Sequence, residues 1–458
     1  MGVYKNCYKY FVLANSKKRG RKNIHFKNIN NALIFFILIS KFKICVTFVH
    51  SFLYYHHNNN NMASVETYKD YAIRKNERID VVDLLRGFAI MGILILHSIE
   101  HFNFYRFPSE LPFEWMKFTD KAIWDGLFFT FGGKAYAIFA LLFGFSFFIQ
   151  EDNEKQRGRD FRLRFLWRMV ILVLLGQLNA AFFTAEILTM YALIGIVLPL
   201  CCKLNNKALI IVAIALLLQP VEWAKVFYAI LNPEYVTPRG VNYWAITSKA
   251  QSGASFWEMV KVNLYEGQLA SFQWAWRNGR IFQIAGLFLT GLWLGRTKFF
   301  IFTKENQLKW YKYLFVALIL FFTLNGLHPM VREFISNREI VRPLQLIIKS
   351  YSNLCFTMML IVSVIMVYYF STTKKWMHHL IPYGRMSLTN YITQSMIGAL
   401  VFYHWGFDLQ IGITYSFLFG IVFFICQLIF CIMWLKYFKH GPFEYLWKRL
   451  TWINSIKQ

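Results

Sequence analysis

The run Arg78-Ile-Asp80-Val-Val-Asp83-Leu-Leu-Arg86-Gly87-Phe-Ala-Ile-Met-Gly92-Ile-Leu-Ile-Leu-His97-Ser-Ile-Glu100-His101 decides the fold. From residue 84 to 102 it is long enough, at about 1.5 Å per helical residue, to cross a hydrocarbon layer of roughly 30 Å. Nine more apolar runs follow, at 134–150, 165–183, 186–202, 208–230, 281–296, 312–328, 346–370, 386–404 and 411–435. The expectation is an all-α polytopic membrane protein with about ten transmembrane helices.

Composition agrees. Of the 458 residues, 57% are hydrophobic, 19% aromatic and only 16% charged. Soluble domains carry roughly 45–50% apolar and about 25% charged residues. These values exclude a water-soluble globular enzyme and a disordered chain.

The net charge of +26 does not call for a nucleic-acid partner. Residues 1–61 hold ten Lys and Arg and no Asp or Glu, and the other 397 residues contribute +16. Those later cations follow topology. The segments 69–86, 151–168, 203–207, 296–312, 374–385 and 436–458 hold 26 Lys and Arg, and the alternate segments hold 12. The positive-inside rule then places both ends of the membrane domain in the cytoplasm. In a bacterium this is the inner membrane, with the lipid bilayer as the first partner. The sequence says nothing about oligomeric state.

Residues 1–61 are rich in Asn, Lys, Ile, Phe and Tyr and end in Asn58–Asn61. They read as translated upstream sequence or a disordered basic prefix, and Met62 is the expected start. A further helix or a targeting segment is the alternative. The apolar run at 32–53 is broken by Lys41, Lys43 and His50. Seven Cys are present, with Cys7 and Cys45 in the prefix and Cys201, Cys202, Cys355, Cys426 and Cys431 in or beside apolar runs. No disulfide framework and no CxxC pattern follows, so these read as small core residues.

Ionisable groups within a span are costly and face a cavity or a partner. Asp83 and Arg86, three apart, share a helix face and can pair. His97 lies 11 residues beyond Arg86, about three turns and some 16 Å along the axis. A neutral imidazole there is a candidate general base, although a packed, hydrogen-bonded His is the plainer reading. His97-Ser-Ile-Glu100-His101 also matches H-x-x-E-H, a zinc pattern, but no third ligand stands nearby, and no metal is expected.

Glu186 and Tyr191 open the fourth run, and Asn325 and His328 close the seventh. The ninth reads Gly384-Arg385-Met-Ser387-Leu-Thr389-Asn390-Tyr391-Ile-Thr393-Gln394-Ser395. Ser387, Asn390, Gln394 and Gly398 fall roughly on one face. They line a cavity, with Glu100, His101, Glu186, Tyr191, Arg385 and Thr389, or they bind helix to helix. The long segment 232–280 carries Trp244, Trp257, Trp274 and Trp276 with Arg277 and Arg280. It reads as an interfacial aromatic belt or as a cap over a substrate. The basic loop 151–168 reads as an inner anchor able to attract an anionic nucleotide.

Three stretches together resemble the YeiB-like family of bacterial membrane proteins, a domain of unknown function (418). They are RIDVVDLLRGFAIMGILIL in the first run, GRMSLTNYITQS in the ninth and GPFEYLWKRLTW at the tail. KAYAIFALLFGFSFF and RMVILVLLGQLNAAFFTAEILTMYALIGI fit the same pattern, so the resemblance covers about 78–452. No internal repeat and no low-complexity linker follows Met62, so one integral domain is expected over 62–458; the resemblance puts acyltransferase-like helices and the outer loop in 78–280 and the YeiB-like region in 281–455.

That family is similar to transmembrane acyltransferases such as heparan-alpha-glucosaminide N-acetyltransferase and the OafA-like O-acyltransferases. The shared first span is D-x-L-R-G-x-A, and in OafA-like enzymes a functional His follows its Arg by 11 residues, the place of His97. The resemblance implies transfer of an acyl group, acetyl above all, from cytoplasmic acyl-CoA to a glycan, lipid-linked or small hydroxyl or amine acceptor. It implies no bound cofactor, with acyl-CoA as a co-substrate. Asp83 and Arg86 would orient the helix or meet the acyl donor. A transporter or permease without group transfer is the alternative.

Overall fold

The computed structural model describes residues 79–102, 105–238, 240–370 and 374–453. The reading of residues 1–61 and of Met62 lies outside them. The described residues fall in one compact unit and form no strand.

The helices run as follows: α1 Asp80–Ile99, α2 Trp115–Thr130, α3 Ala135–Gln156, α4 Arg162–Ala180, α5 Leu188–Ile194, α6 Val197–Cys201, α7 Asn206–Leu217 and α8 Pro220–Leu231. There follow α9 Tyr243–Gly253, α10 Phe256–Val262, a π-helical turn Asn263–Gly267, α11 Gln268–Arg277 and α12 Arg280–Arg296. The chain ends with α13 Lys304–Phe334, α14 Arg338–Phe370, α15 Lys374–Met377, α16 Leu380–Arg385, α17 Ser387–Phe402, α18 Ile413–Tyr437 and α19 Pro442–Thr451.

Six of the described segments are long and apolar enough to cross a membrane, or seven if the bent pair α7–α8 is one span. All ten runs expected from sequence coincide with helix, and physical reasons account for the four that fall short. The run 186–202 is α5 and α6, interrupted at Gly195. The run 208–230 bends by 48° between α7 and α8. There Gln219 takes a left-handed φ of +62° and Pro220 cannot donate to the preceding turn. The runs 281–296 and 386–404 are helices of 17 and 16 residues, α12 and α17.

α1 is the central helix. It is apolar on nearly every side, the signature of a helix enclosed by others. Of its apolar stretch 67% is buried inside the protein, against 11% for α13, whose apolar side chains face outward. α1 packs on α3, α16, α17 and α18. Small residues bring backbones together. Gly144 of α3 lies against the Phe288 backbone of α12, and Gly291 of α12 against the Leu141 backbone of α3. α13 and α14 form a long antiparallel hairpin joined by ring contacts such as Phe321–Phe356 at 5.1 Å.

Candidate functional site

α1 carries polar groups at both ends. At its C-terminal end, His97 Nδ1 stands 3.4 Å from Glu100 Oε2, and the Tyr105 hydroxyl donates to Glu100 Oε1 at 2.8 Å. The imidazole is partly buried, with the Phe183 ring edge-on at 4.8 Å. Among the described residues, His97 Nε2 has no hydrogen-bond partner. A ring nitrogen turned toward a carboxylate that is itself held by a phenol is the arrangement that orients a general base.

The backbone beyond is unusual. His101 and Phe102 take left-handed φ values of +48° and +54°. Such conformations cost on the order of 1–3 kcal/mol each in bulky residues and persist only when surroundings fix them. The Phe102 N–H donates to the His97 carbonyl at 2.7 Å. His101 is fully buried, stacked on Phe402 at 4.4 Å. Its Nδ1 faces the Arg106 carbonyl at 3.0 Å and its Nε2 the Ser416 hydroxyl at 2.7 Å. Both nitrogens being engaged, His101 does not join His97 on one ion. Among the described residues no three His, Cys, Asp or Glu side chains could hold a metal.

The segment 232–280 folds over this end. Gln251 donates to the Thr184 hydroxyl at 2.5 Å and to the Tyr403 hydroxyl at 3.0 Å. Thr184 donates to Asn263, the first residue of the π turn, at 2.8 Å. Tyr403 donates to the Phe102 carbonyl at 2.9 Å. Met259 of α10 is buried in one cluster with Leu94, Phe102, Phe183 and Phe402. The covering segment is therefore tied to Thr184, the neighbour of Phe183, which touches His97.

The other end of α1 gathers the three motifs. Arg86 donates to Asp83 at 2.7 Å and to Ser146 of α3 at 2.6 Å. Gly87 and Gly384 put α1 and α16 in backbone contact, with a Cβ on Gly87 2.5 Å from the Leu380 carbonyl oxygen. Arg385, partly buried, follows Gly384. Glu444 of the tail caps α17: it accepts from the Leu388 and Thr389 N–H groups at 2.7 and 3.1 Å and from the Thr389 hydroxyl at 2.5 Å. Burial raises the Glu444 carboxyl, against the Thr389 and Leu388 hydrogen bonds that lower it. Arg168 of α4 stacks on Trp447 at 3.7 Å, and Trp447 donates to the Arg168 carbonyl at 3.1 Å.

Much of the basic loop is already engaged. Arg157 pairs with Glu154 at 2.8 Å and Arg164 donates to the Thr451 carbonyl at 3.0 Å. Arg162, 2.6 Å from Asp160, holds that exposed carboxyl down at about 2.

The remaining candidates sit between helices. Glu186 is buried and accepts from the Leu188 N–H and, at 2.9 Å, the Thr189 N–H, capping α5. Tyr191 is buried and donates to the Tyr136 carbonyl at 2.9 Å. Asn390 donates to the Tyr383 carbonyl at 3.0 Å and accepts from the Cys431 thiol. Gln394 donates to Tyr383 at 3.0 Å and to Gln427 at 3.2 Å. Ser387 begins α17 and is partly buried. The polar face of α17 thus binds α16 and α18.

Sequence reading overlooked Tyr105, Phe183, Gln427 and the capping role of Glu444. Glu444 and Phe183 stood inside quoted stretches, whereas Tyr105 and Gln427 carry no local signal.

These features define a multi-pass, all-helical membrane protein with polar clusters at both ends of α1, the first of the described helices. Residues 294–454 match the family described as Protein of unknown function (DUF418). That part holds GRMSLTNYITQS and GPFEYLWKRLTW; Asp83, Arg86 and His97 precede it. The chain is 27% identical over 417 residues to Uncharacterized protein YxaH of Bacillus subtilis (strain 168), covering 83% of this chain and 95% of that one. It is 26% identical over 412 residues to Uncharacterized protein YeiB of Escherichia coli (strain K12), covering 82% and 96%. Both findings agree with the YeiB-like resemblance of the motifs.

Proposed function

We propose that this chain is a membrane-embedded acyltransferase, moving an acyl group from cytoplasmic acyl-CoA to a hydroxyl or amine on a glycan, lipid-linked or small acceptor. The observation that carries this reading is His97, turned toward Glu100, which Tyr105 holds. His97 Nε2 takes the acceptor proton as the acceptor attacks the thioester carbonyl. The C–S bond breaks and CoA leaves as the thiol once protonated. Glu100 is a positioning residue. Arg86, fixed by Asp83 and Ser146, stands toward the other membrane face and meets the donor's phosphates.

In this reading the ten apolar runs all lie within the bilayer, the shorter ones enclosed by longer neighbours. Both ends of the membrane domain are cytoplasmic, in a bacterial inner membrane, and the segment 232–280 covers the acceptor side. The test is CoA release by the purified chain with membrane glycolipid present, wild type beside His97→Ala. Release that collapses in the variant while the protein stays folded supports the reading. No CoA binding and no release by the wild type, over short and long acyl donors, overturns it in favour of transport.

A further inference from the structure

A second polar cluster lies where the turns before α3 and α12 meet α14. Lys134 is buried at the start of α3, Arg280 opens α12, and Lys349 and Asn353 lie on α14. They are close. A Cβ on Gly133 would stand 2.9 Å from Asn353 Nδ2 and 3.3 Å from Arg280 Nη2. Lys349 stands one helical turn before Asn353 on α14.

The cations are held by neutral groups. Lys134 donates to the Phe129 carbonyl at 2.8 Å and faces the Phe356 ring at 5.3 Å. Arg280 stacks on Tyr136 at 4.6 Å and donates to Gln283 at 2.8 Å. Among the described residues, no carboxylate forms an ion pair with Lys134, Arg280 or Lys349. Lys134 is buried and Arg280 half-buried, and like charges gathered there are costly unless an anion meets them.

Independent polar atoms mark the same place. Gln283 Nε2 and Arg280 Nε, both donors, are buried with no hydrogen-bond partner, and Gln283 is 1% exposed. Gln219 lies against Gly279, the N-cap of α12, where no side chain caps the helix. Arg280 is the first residue of this 17-residue helix, so the positive dipole end of α12 lies at the cluster.

We infer that the cluster binds the phosphate group of an anionic ligand. The guanidinium of Arg280 offers the fork that a phosphate takes, and Lys134 and Lys349 neutralise its charge. Gln283 Nε2 supplies a further donor. The site holds whether or not the chain transfers acyl groups. A lipid headgroup and a soluble phosphate compound share this chemistry.

The test uses the full chain with two probes. Inorganic phosphate is titrated by calorimetry in neutral detergent. Spin-labelled phosphatidylglycerol in phosphatidylcholine nanodiscs reports immobilised lipid. Arg280→Gln is expected to weaken binding about tenfold and exposed Lys349→Gln several-fold, whereas Lys304→Gln at the far end of α13 leaves it unchanged. Lys349→Gln spares the buried network, so it carries the test even if Arg280→Gln does not fold. Phosphate binding lost in the variants assigns a soluble ligand, and loss confined to phosphatidylglycerol assigns a lipid. Failure of the wild type to bind either probe, or equal binding by wild type and Lys349→Gln, overturns the inference.

Discussion

Gly384 lies so close to Asp83 that a Cβ added to it would collide with the Asp83 carbonyl oxygen and stand 2.7 Å from the Gly87 nitrogen. Two stretches nearly 300 residues apart in sequence thus meet backbone to backbone, with Asp83 and Arg86 on one side and Arg385 on the other. Gly384→Ala is expected to force α16 away from α1. Overpacking of this kind costs about 1–3 kcal/mol or more. The measurement is the melting temperature of the detergent-purified chain, and a variant as stable as wild type would contradict the close approach.

His97→Ala should lower CoA release at least about a hundredfold, the lower range for a general base, with an unchanged melting temperature. Glu100→Gln, which still accepts from Tyr105 but loses the carboxylate beside His97, should fall between the two. Glu100→Asp should recover part of that loss. If Glu100→Gln matches wild type, Glu100 does not position His97.

Glu444 joins the tail to α17. Its carboxyl is raised by burial, so its neutral form contributes stability below the ordinary carboxyl range, and that contribution is lost as pH rises through the raised value. Glu444→Gln lacks this titration. The melting temperature of Glu444→Gln relative to wild type should therefore increase as pH rises above the ordinary carboxyl range. Glu444→Ala should be less stable than either at every pH, by about 1–3 kcal/mol, since the Leu388 and Thr389 donors lose their partner.

Gln251 bridges the Thr184 and Tyr403 hydroxyls. Gln251→Leu should cost about 1–3 kcal/mol and loosen the covering segment first. Limited proteolysis is expected to cut within 239–256 faster than in wild type. Unchanged protection would show that the apolar contacts of Met259 hold the cover alone.

Sidedness is tested by labelling. Lys249 and Arg159 are both exposed and belong to opposite faces in the charge-based topology. A membrane-impermeant maleimide should label Lys249→Cys in intact cells and Arg159→Cys only after permeabilisation. The reverse pattern would invert the proposed orientation.

The helical character, the apolar runs and the motif-bearing segments were legible in the sequence because each is a local property. Length and apolar composition mark a helix that can sit in lipid, and Asp83 three residues before Arg86 predicts their pairing from helical geometry alone. The breaks at Gly195 and Pro220 shorten two runs that composition alone treats as continuous. Tertiary structure decided what each polar residue does. His97 and His101 share a short motif, yet the left-handed backbone at His101 sends it into a stack with Phe402, while His97 stays beside Glu100. Glu444 caps a helix that begins more than fifty residues earlier, and Gln251 reaches Thr184 across the chain. Local sequence carries no record of such pairs, because packing between distant helices selects the partner that satisfies each buried polar group.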